Sequence, residues 1–194
     1  MKSFLLSLRI LVVSTVLLGL AYPLLVTEVA QSLFPIQANG SLVGAPRNPV
    51  GSLLIGQDWS SPLWFQGRPS ATGDHPYNPL ASGGSNLSPH GRALAERRSI
   101  TESAWKARAA QVSQKAPVPD ALLSASGSGL DPDLDLQAVL WQVPLVAAAR
   151  NFSQTELEKL VLSLATHPGW PWDPEPTVNL LRLNQTLAQG LGKS

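Results

Sequence analysis

Eighteen residues in a row, Ile10 to Thr27, carry no formal charge, and most are Leu, Val, Ile or Ala. As a helix this run spans about 27 Å, close to the roughly 30 Å hydrocarbon thickness of a bilayer. Its polar members Ser14, Thr15, Tyr22 and Thr27 suit bonds to the helix backbone or a place at the interface. Pro23 is expected to kink the helix. Lys2 and Arg9 precede the run and Glu28 follows it. The positive-inside rule then predicts a cytoplasmic N-terminus, with everything after about residue 30 on the other side. The competing reading is a cleaved signal peptide, with Lys2 and Arg9 as its basic region and Gly19-Leu20-Ala21 as a weak cleavage site. The apolar run is long for that role. No other segment is long and apolar enough to span.

Composition narrows the remainder. The 194 residues suffice for one ordinary domain plus a membrane element. A net charge of +1 argues against a nucleic-acid surface. With no cysteine, disulfides, thiolate metal sites and a cysteine nucleophile are excluded. The 17 prolines and 15 glycines predict many turns and irregular loops.

Residues 35–50 read as a loop leading out of the membrane. Gly51 to Gly56 encloses a short apolar run and reads as a buried strand. Trp59, Trp64 and Phe65 add aromatic bulk. After a Gly-, Ser-, Asn- and Pro-rich stretch, Ser88-Pro89 looks like the cap and first turn of a helix. Its predicted apolar face is Ala93, Ile100, Ala104 and Ala107, and Arg92/Glu96, Arg98/Glu102 and Glu102/Lys106 are spaced for ion pairs. Asp131 and Pro132, followed by Asp133 and Asp135, predict a second helix with the stripe Leu134, Ala138, Trp141, Leu145 and Ala148, kinked at Pro144. Ser153 and Glu156 read as the capping box of a third, which buries Leu157, Leu160, Val161 and Leu164 and ends at His167-Pro168-Gly169. Thr177 to Leu183 reads as a strand, with Asn184 capping a short final helix that stops near Gly190. The fold class is therefore α+β: one N-terminal transmembrane helix, then a small, loop-rich mixed domain outside the cytoplasm. The expected division is 1–9 cytoplasmic, 10–30 transmembrane, 31–50 linker and 51–194 extracytoplasmic domain.

No catalytic constellation emerges. His75, His90 and His167 lack ligand spacing and read as surface or capping residues. Ser124-Ala125-Ser126-Gly127-Ser128 lacks the flanking glycines of a nucleophile elbow. Gly192-Lys193-Ser194 imitates the tail of a phosphate loop, but Leu187 stands where its first glycine belongs. Ser82-Gly83-Gly84 resembles a fragment of the signature motif of ABC-type ATPases; as a loop before a helix it suits anions, yet it lies where ATP is scarce. Neither the D-K-T-G motif of P-type ATPases nor a TVGYG-like filter is present.

Several segments together resemble the C subunit of Kdp-type potassium-transporting ATPases. They are the single N-terminal span, Gly51 to Gln57, Arg68-Pro69-Ser70-Ala71, Ser82-Gly83-Gly84-Ser85-Asn86-Leu87, Ser126-Gly127-Ser128-Gly129-Leu130-Asp131-Pro132, Val178-Asn179 and Leu183-Asn184. The chain departs from the usual pattern at Ser88 (for glycine), Asp135 (for serine) and Leu145 (for arginine), with Pro144 beside the last.

The resemblance implies a non-catalytic accessory subunit of an ATP-driven potassium importer in the bacterial inner membrane. The implied partners are a potassium-binding, channel-like subunit, a P-type ATPase subunit, a small single-span subunit and the lipid bilayer. It further implies a catalytic chaperone that raises the ATPase subunit's affinity for ATP, so ATP enters only through the complex. The residues it marks are Arg68, Ser82, Gly83, Gly84, Ser85, Asn86, Ser126, Gly127, Ser128, Asp131, Asn179 and Asn184, as framework or as contacts to a subunit or nucleotide. The glycines among them, with Gly129, are expected to supply unusual backbone angles. A secreted binding or hydrolytic protein remains the alternative.

Overall fold

The computed structural model describes residues 2–45, 47–167 and 175–190. It divides into two compact units, Met1–Val50 and Gly51–Ser194.

The first unit is dominated by the apolar run. Helix α1 (Lys2–Val16) passes through one π-helical turn (Leu17–Ala21) into α2 (Tyr22–Leu33). Among the described residues this is the helix long and apolar enough to cross a membrane, 32 residues in all. The π-helical turn lies just before Pro23, where the kink is expected. Proline has no N–H for the carbonyl four residues back, and here the Tyr22 N–H reaches Leu17 O, five residues away. Thr27 donates to Pro23 O at 2.8 Å, so its hydroxyl is spent on the helix itself. The expected loop after the helix contains a short turn of helix, α3 (Pro35–Ala38), and the paired strands β1 (Leu42–Ala45) and β2 (Asn48–Ser52).

In the second unit, the strand expected over Gly51 to Gly56 ends at Ser52. The Ser52 hydroxyl accepts the Leu54 N–H at 3.1 Å, and Ser52 O accepts that of Ile55. This local turn out-competes extension, and Leu54 and Ile55 are left exposed.

Helix α4 (Arg92–Ala110) starts later than Ser88-Pro89 suggested. Gly91 donates to Ser88 O and closes a separate turn. Gly91, in an extended conformation, is the residue before the helix. The buried face is also not the expected one. Trp105 and Ala109 point inward, while Ala93, Ile100, Ala104 and Ala107 are exposed. One indole outweighs several small side chains in apolar area. Trp105 meets Trp141 edge-on, with ring centroids 5.6 Å apart. The pairs Arg92–Glu96 and Glu102–Lys106 form as spaced, but Arg98 turns away from Glu102 to Asp120.

Asp131 and Pro132 do not open a helix. Asp133–Asp135 forms β3, which pairs antiparallel with β4 (Thr177–Asn179) in the register Asp133↔Asn179, Leu134↔Val178, Asp135↔Thr177. The ladder extends through Leu136 N–H to Pro176 O and Leu180 N–H to Pro132 O. Long-range pairing therefore wins over the local capping signal. Each strand runs straight into a helix: β3 into α5 (Leu136–Arg150) and β4 into α7 (Leu180–Gln189). Thus β4 is three residues long rather than reaching Leu183. Asn179, not Asn184, caps α7, accepting the Arg182 N–H at 3.2 Å.

The core gathers around α5, which is buried on most sides. Ala138, Trp141 and Leu145 lie inward as expected, but Val139, Val143, Val146 and Ala147 do too, and Ala148 is exposed. Pro144 sits inside the helix, and Leu145 packs in the core. Helix α6 (Gln154–Leu164) begins after Ser153, which makes no side-chain cap bond despite Glu156 in the first turn. It buries Leu157 and Val161, with Leu160 and Leu164 half-buried. Of the expected stop after α6, Pro168 and Gly169 lie outside the described residues, as does Gly192-Lys193-Ser194.

Replacing Trp105 by alanine is expected to cost about 3–5 kcal/mol, as aromatic truncations in cores do. Ile100→Ala, on the exposed side of the same helix, should stay within about 0.5 kcal/mol. Denaturant unfolding of the full-length chain, followed by circular dichroism, checks both.

Candidate functional site

Residues 57–91 contain no helix or strand, so their backbone groups need other partners. Two buried amides supply them. Asn184 accepts the Phe65 N–H at 3.0 Å and donates to Phe65 O at 2.9 Å. Gln142 does the same for Gln66, at 2.9 and 3.0 Å. Asn184 is thus no helix cap but a clamp in the middle of α7. It seats Phe65, which is fully buried. Arg150 lies over the Trp64 ring at 4.3 Å and donates to Leu63 O and Leu187 O.

Further along the loop, the marked segments meet. Ser70 Oγ donates to Gly129 O at 2.7 Å and accepts the Tyr77 N–H at 2.9 Å. Thr72, almost fully buried, donates from its hydroxyl to His75 O and accepts the Asn78 N–H. Gly83 N–H and Ser82 Oγ both donate to Ser128 O, at 2.8 and 3.0 Å. Arg68 Nε donates to Ser124 O, and its guanidinium faces Asp131 at 3.9 Å. Asp131 also accepts the Asp133 N–H, and Gly56 N–H donates to Leu130 O. Asn179 donates to Leu53 O at 3.0 Å and to Asp133 at 2.8 Å. Four sequence-distant stretches, 51–57, 68–71, 82–87 and 126–132, thereby form one hydrogen-bonded cluster, to which β4 is tied by Asn179.

The individual residues differ in what they do. Ser126 is buried, and its carbonyl accepts the Gly129 N–H. The Ser128 hydroxyl accepts the Leu130 N–H, and the Ser85 hydroxyl that of Leu87. Asn86 is exposed with φ +51°, a left-handed conformation that asparagine tolerates. Of the glycines, Gly129 requires its residue type through conformation: φ is +67°, and a Cβ there would lie 2.5 Å from Thr72 Cγ2 and 2.8 Å from Gly83 O. Gly83, Gly84 and Gly127 have ordinary φ values, contrary to expectation. Gly84 is instead constrained by approach, since a Cβ would come 3.2 Å from Gly127 O. The three histidines are exposed.

Sequence reasoning missed Tyr77. Its hydroxyl donates to Arg68 O at 2.6 Å. It closes on Gly56 and Gly67, where a Cβ would meet its ring edge at 2.7 Å and its hydroxyl at 2.6 Å. Burial, reinforced by Asp58 and Asp131, pushes its phenol up to about 12, so it remains a donor. A lone tyrosine in a turn-rich stretch gives no periodic signal that would have marked it. Beside it an open groove of about 350 Å³ is lined by Asp58, Trp59, Arg68, Tyr77 and Trp105, among others. Asp133 was read only as a helix-dipole residue. Burial raises its pKa, with the Asn179 bond opposing.

Residues 4–189 match the sequence profile of the family described as KdpC, the K+-transporting ATPase c chain. The chain belongs to the KdpC family. It is 44% identical over 181 residues to the potassium-transporting ATPase KdpC subunit of Yersinia pseudotuberculosis serotype O:1b (strain IP 31758), covering 93% of this chain and 90% of that protein. The KdpC subunit of Variovorax paradoxus (strain S110) is 48% identical over 171 residues, 88% of each. That of Pseudomonas entomophila (strain L48) is 47% identical over 182 residues, covering 93% and 91%. KdpC membership makes the chain a membrane-associated subunit of the potassium-transporting ATPase complex. The secreted-protein alternative finds no support in these matches.

The cluster's geometry and the Arg98–Asp120 pair can each be tested. Gly129→Ala should destabilise by about 1–2 kcal/mol for the left-handed backbone alone, before the clash with Gly83 is counted. Gly127→Ala, with open space around it, should be tolerated; thermal melts of the two variants compare them. The second concerns Asp120, held below the usual carboxylate range chiefly by its hydrogen bond from Arg98. A depressed carboxylate stabilises the fold above the ordinary carboxylate range and loses that contribution as pH falls through its folded pKa. Asp120→Asn should therefore lower the melting midpoint at neutral pH and leave it unchanged once the wild-type carboxylate is protonated, as melts across a pH series would show.

Proposed function

We propose that the chain is a non-catalytic assembly subunit of a high-affinity, ATP-driven potassium importer. Its N-terminus is cytoplasmic, the helix around residues 10–30 is retained in the inner membrane, residues 31–50 link, and residues 51–194 lie on the extracytoplasmic side. The observation that carries this reading is the use to which the marked side chains are put. Arg68, Asn179 and Asn184, with Ser70 beside Arg68, each bind the backbone of a distant segment. Polar groups spent in this way set the shape of a rigid surface. A subunit that fixes the geometry of its neighbours needs such a surface.

The partners on this reading are a potassium-binding, channel-like subunit, a P-type ATPase subunit, a small single-span subunit and the surrounding lipid. The basic residues Lys2 and Arg9 before the span support the orientation. A catalytic-chaperone role, raising the ATPase subunit's affinity for ATP, then acts through subunit contacts. Stabilising one state of the ATPase subunit shifts its nucleotide affinity by the same free energy. ATP enters only through the complex, and Ser82 and Gly83 serve the framework by donating to Ser128 O.

A membrane pull-down of C-terminally tagged chain, with intact-mass analysis and identification of co-purifying proteins, tests the assembly role. A full-length mass together with a P-type ATPase and a channel-like potassium protein is the expected result. A soluble, solitary chain shortened by about 20 residues, as signal cleavage would leave it, overturns the reading.

A further inference from the structure

In the second unit, Arg68, Arg92, Arg98 and Lys106 each face a carboxylate. Arg108 and Arg150 have no such partner among the described residues. The Arg108 guanidinium there makes neither an ion pair nor a hydrogen bond, and lies over the Trp105 ring, 4.6 Å from its centroid. Arg150 lies over Trp64, and its donors go to two carbonyl oxygens. Both arginines are half-buried. Burial pulls each guanidinium pKa down, yet arginine stays charged. Each sits in the last turn of its helix, where the helix end offers only about half a negative charge. Two partly desolvated cations are thus left without a counter-anion.

The two converge on one surface. A groove of about 260 Å³ is lined by Arg108 at the end of α4, by Leu145, Ala148 and Ala149 on α5, and by Pro62 and Val112, with no carboxylate on its walls. Arg150 follows Ala149 and donates to Leu63 O, beside Pro62. Pro62, Leu63, Ala148 and Ala149 are exposed. Arginine backed by tryptophan, next to exposed apolar residues, is the composition of an interface anchor. The planar guanidinium fork suits a carboxylate, which can take two parallel N–H bonds from it. The groove is smaller than the roughly 300–1,000 Å³ of small-ligand pockets, which favours a protruding side chain over a free ligand.

We propose that this groove docks an acidic segment of a neighbouring subunit of the ATPase complex, with an aspartate or glutamate carboxylate on Arg108 and Arg150 close by. The site rests on the reading of the chain as an assembly subunit. It supplies that reading with a contact of defined charge: cationic on this chain, anionic on its neighbour.

Wild-type and variant full-length chains, differently tagged, are co-expressed with the other subunits. Their ratio in the purified complex is divided by their ratio in the membrane. Arg108→Gln is expected to be under-represented about tenfold, as the loss of one charged interface anchor implies. Ala149→Glu sets a carboxylate at the rim, where it occupies Arg108 in the partner's place, and should be excluded to a similar degree. Ala149→Gln, of the same size without the charge, should incorporate within about twofold of wild type, as exposed substitutions do. The Glu and Gln pair keeps the test decisive even if Arg108→Gln lowers the melting midpoint of the chain. Incorporation of Arg108→Gln and Ala149→Glu at the wild-type ratio overturns the docking site alone; phosphatidylglycerol lost from the Arg108→Gln complex in native mass spectrometry would then give the groove to a lipid headgroup. Equal exclusion of Ala149→Glu and Ala149→Gln overturns the role of charge. A wild-type chain that co-purifies with no ATPase subunit overturns the site together with the assembly reading.

Discussion

Two side-chain amides hold the second unit, Gly51–Ser194, together. Gln142 on α5 and Asn184 on α7 each pair with both backbone groups of a loop residue, Gln66 and Phe65 in turn. Each amide plays the part that a neighbouring strand plays in a sheet, offering one donor and one acceptor at matched spacing. A loop of this length would otherwise leave buried peptide groups unpaired, at a cost of about 1–3 kcal/mol each. Once Phe65 and Gln66 are fixed, Phe65 fills the core and Arg68 reaches Ser124 and Asp131. The rest of the loop then folds back through Ser70 and Thr72.

This arrangement explains why short, glycine- and serine-rich segments are the ones that resemble the family. Ser70, Ser82, Ser128 and Gly129 act through backbone atoms or through hydroxyls bonded to backbone. Such contacts demand small side chains and close approach, so larger residues would force the segments apart. Tyr77 is the exception in size. Its ring occupies the room left by Gly56 and Gly67, and its hydroxyl returns to Arg68 O. The result is an irregular but tightly bonded surface.

Much of this was legible in part. The apolar run showed itself by length and lack of charge, and α6 by its fourfold and threefold spacing with Leu157 and Val161 inward. The matching segments marked the cluster, although nothing in their spacing showed that they touch. The errors have a common source. Asp131-Pro132 and Ser88-Pro89 are sound local helix starts, yet β4 claims the backbone at 133–135 and a turn onto Ser88 O claims Gly91. On α4, counting apolar positions favoured Ala93, Ile100, Ala104 and Ala107, whereas the bulk of Trp105 set the buried face.

By itself the sequence determined what depends on neighbours in the chain: an apolar helix of membrane-spanning length, the absence of thiol chemistry, the turn-rich middle and the family. Periodicity, charge and residue type act within a few positions, so they can be read in order along the chain. Tertiary structure alone decided the β3–β4 pairing, the inward turn of Trp105, the clamps of Gln142 and Asn184 and the seat of Tyr77. Each of these satisfies a backbone group or fills a volume with a residue far away in sequence, and that choice exists only once the distant segments have been brought together.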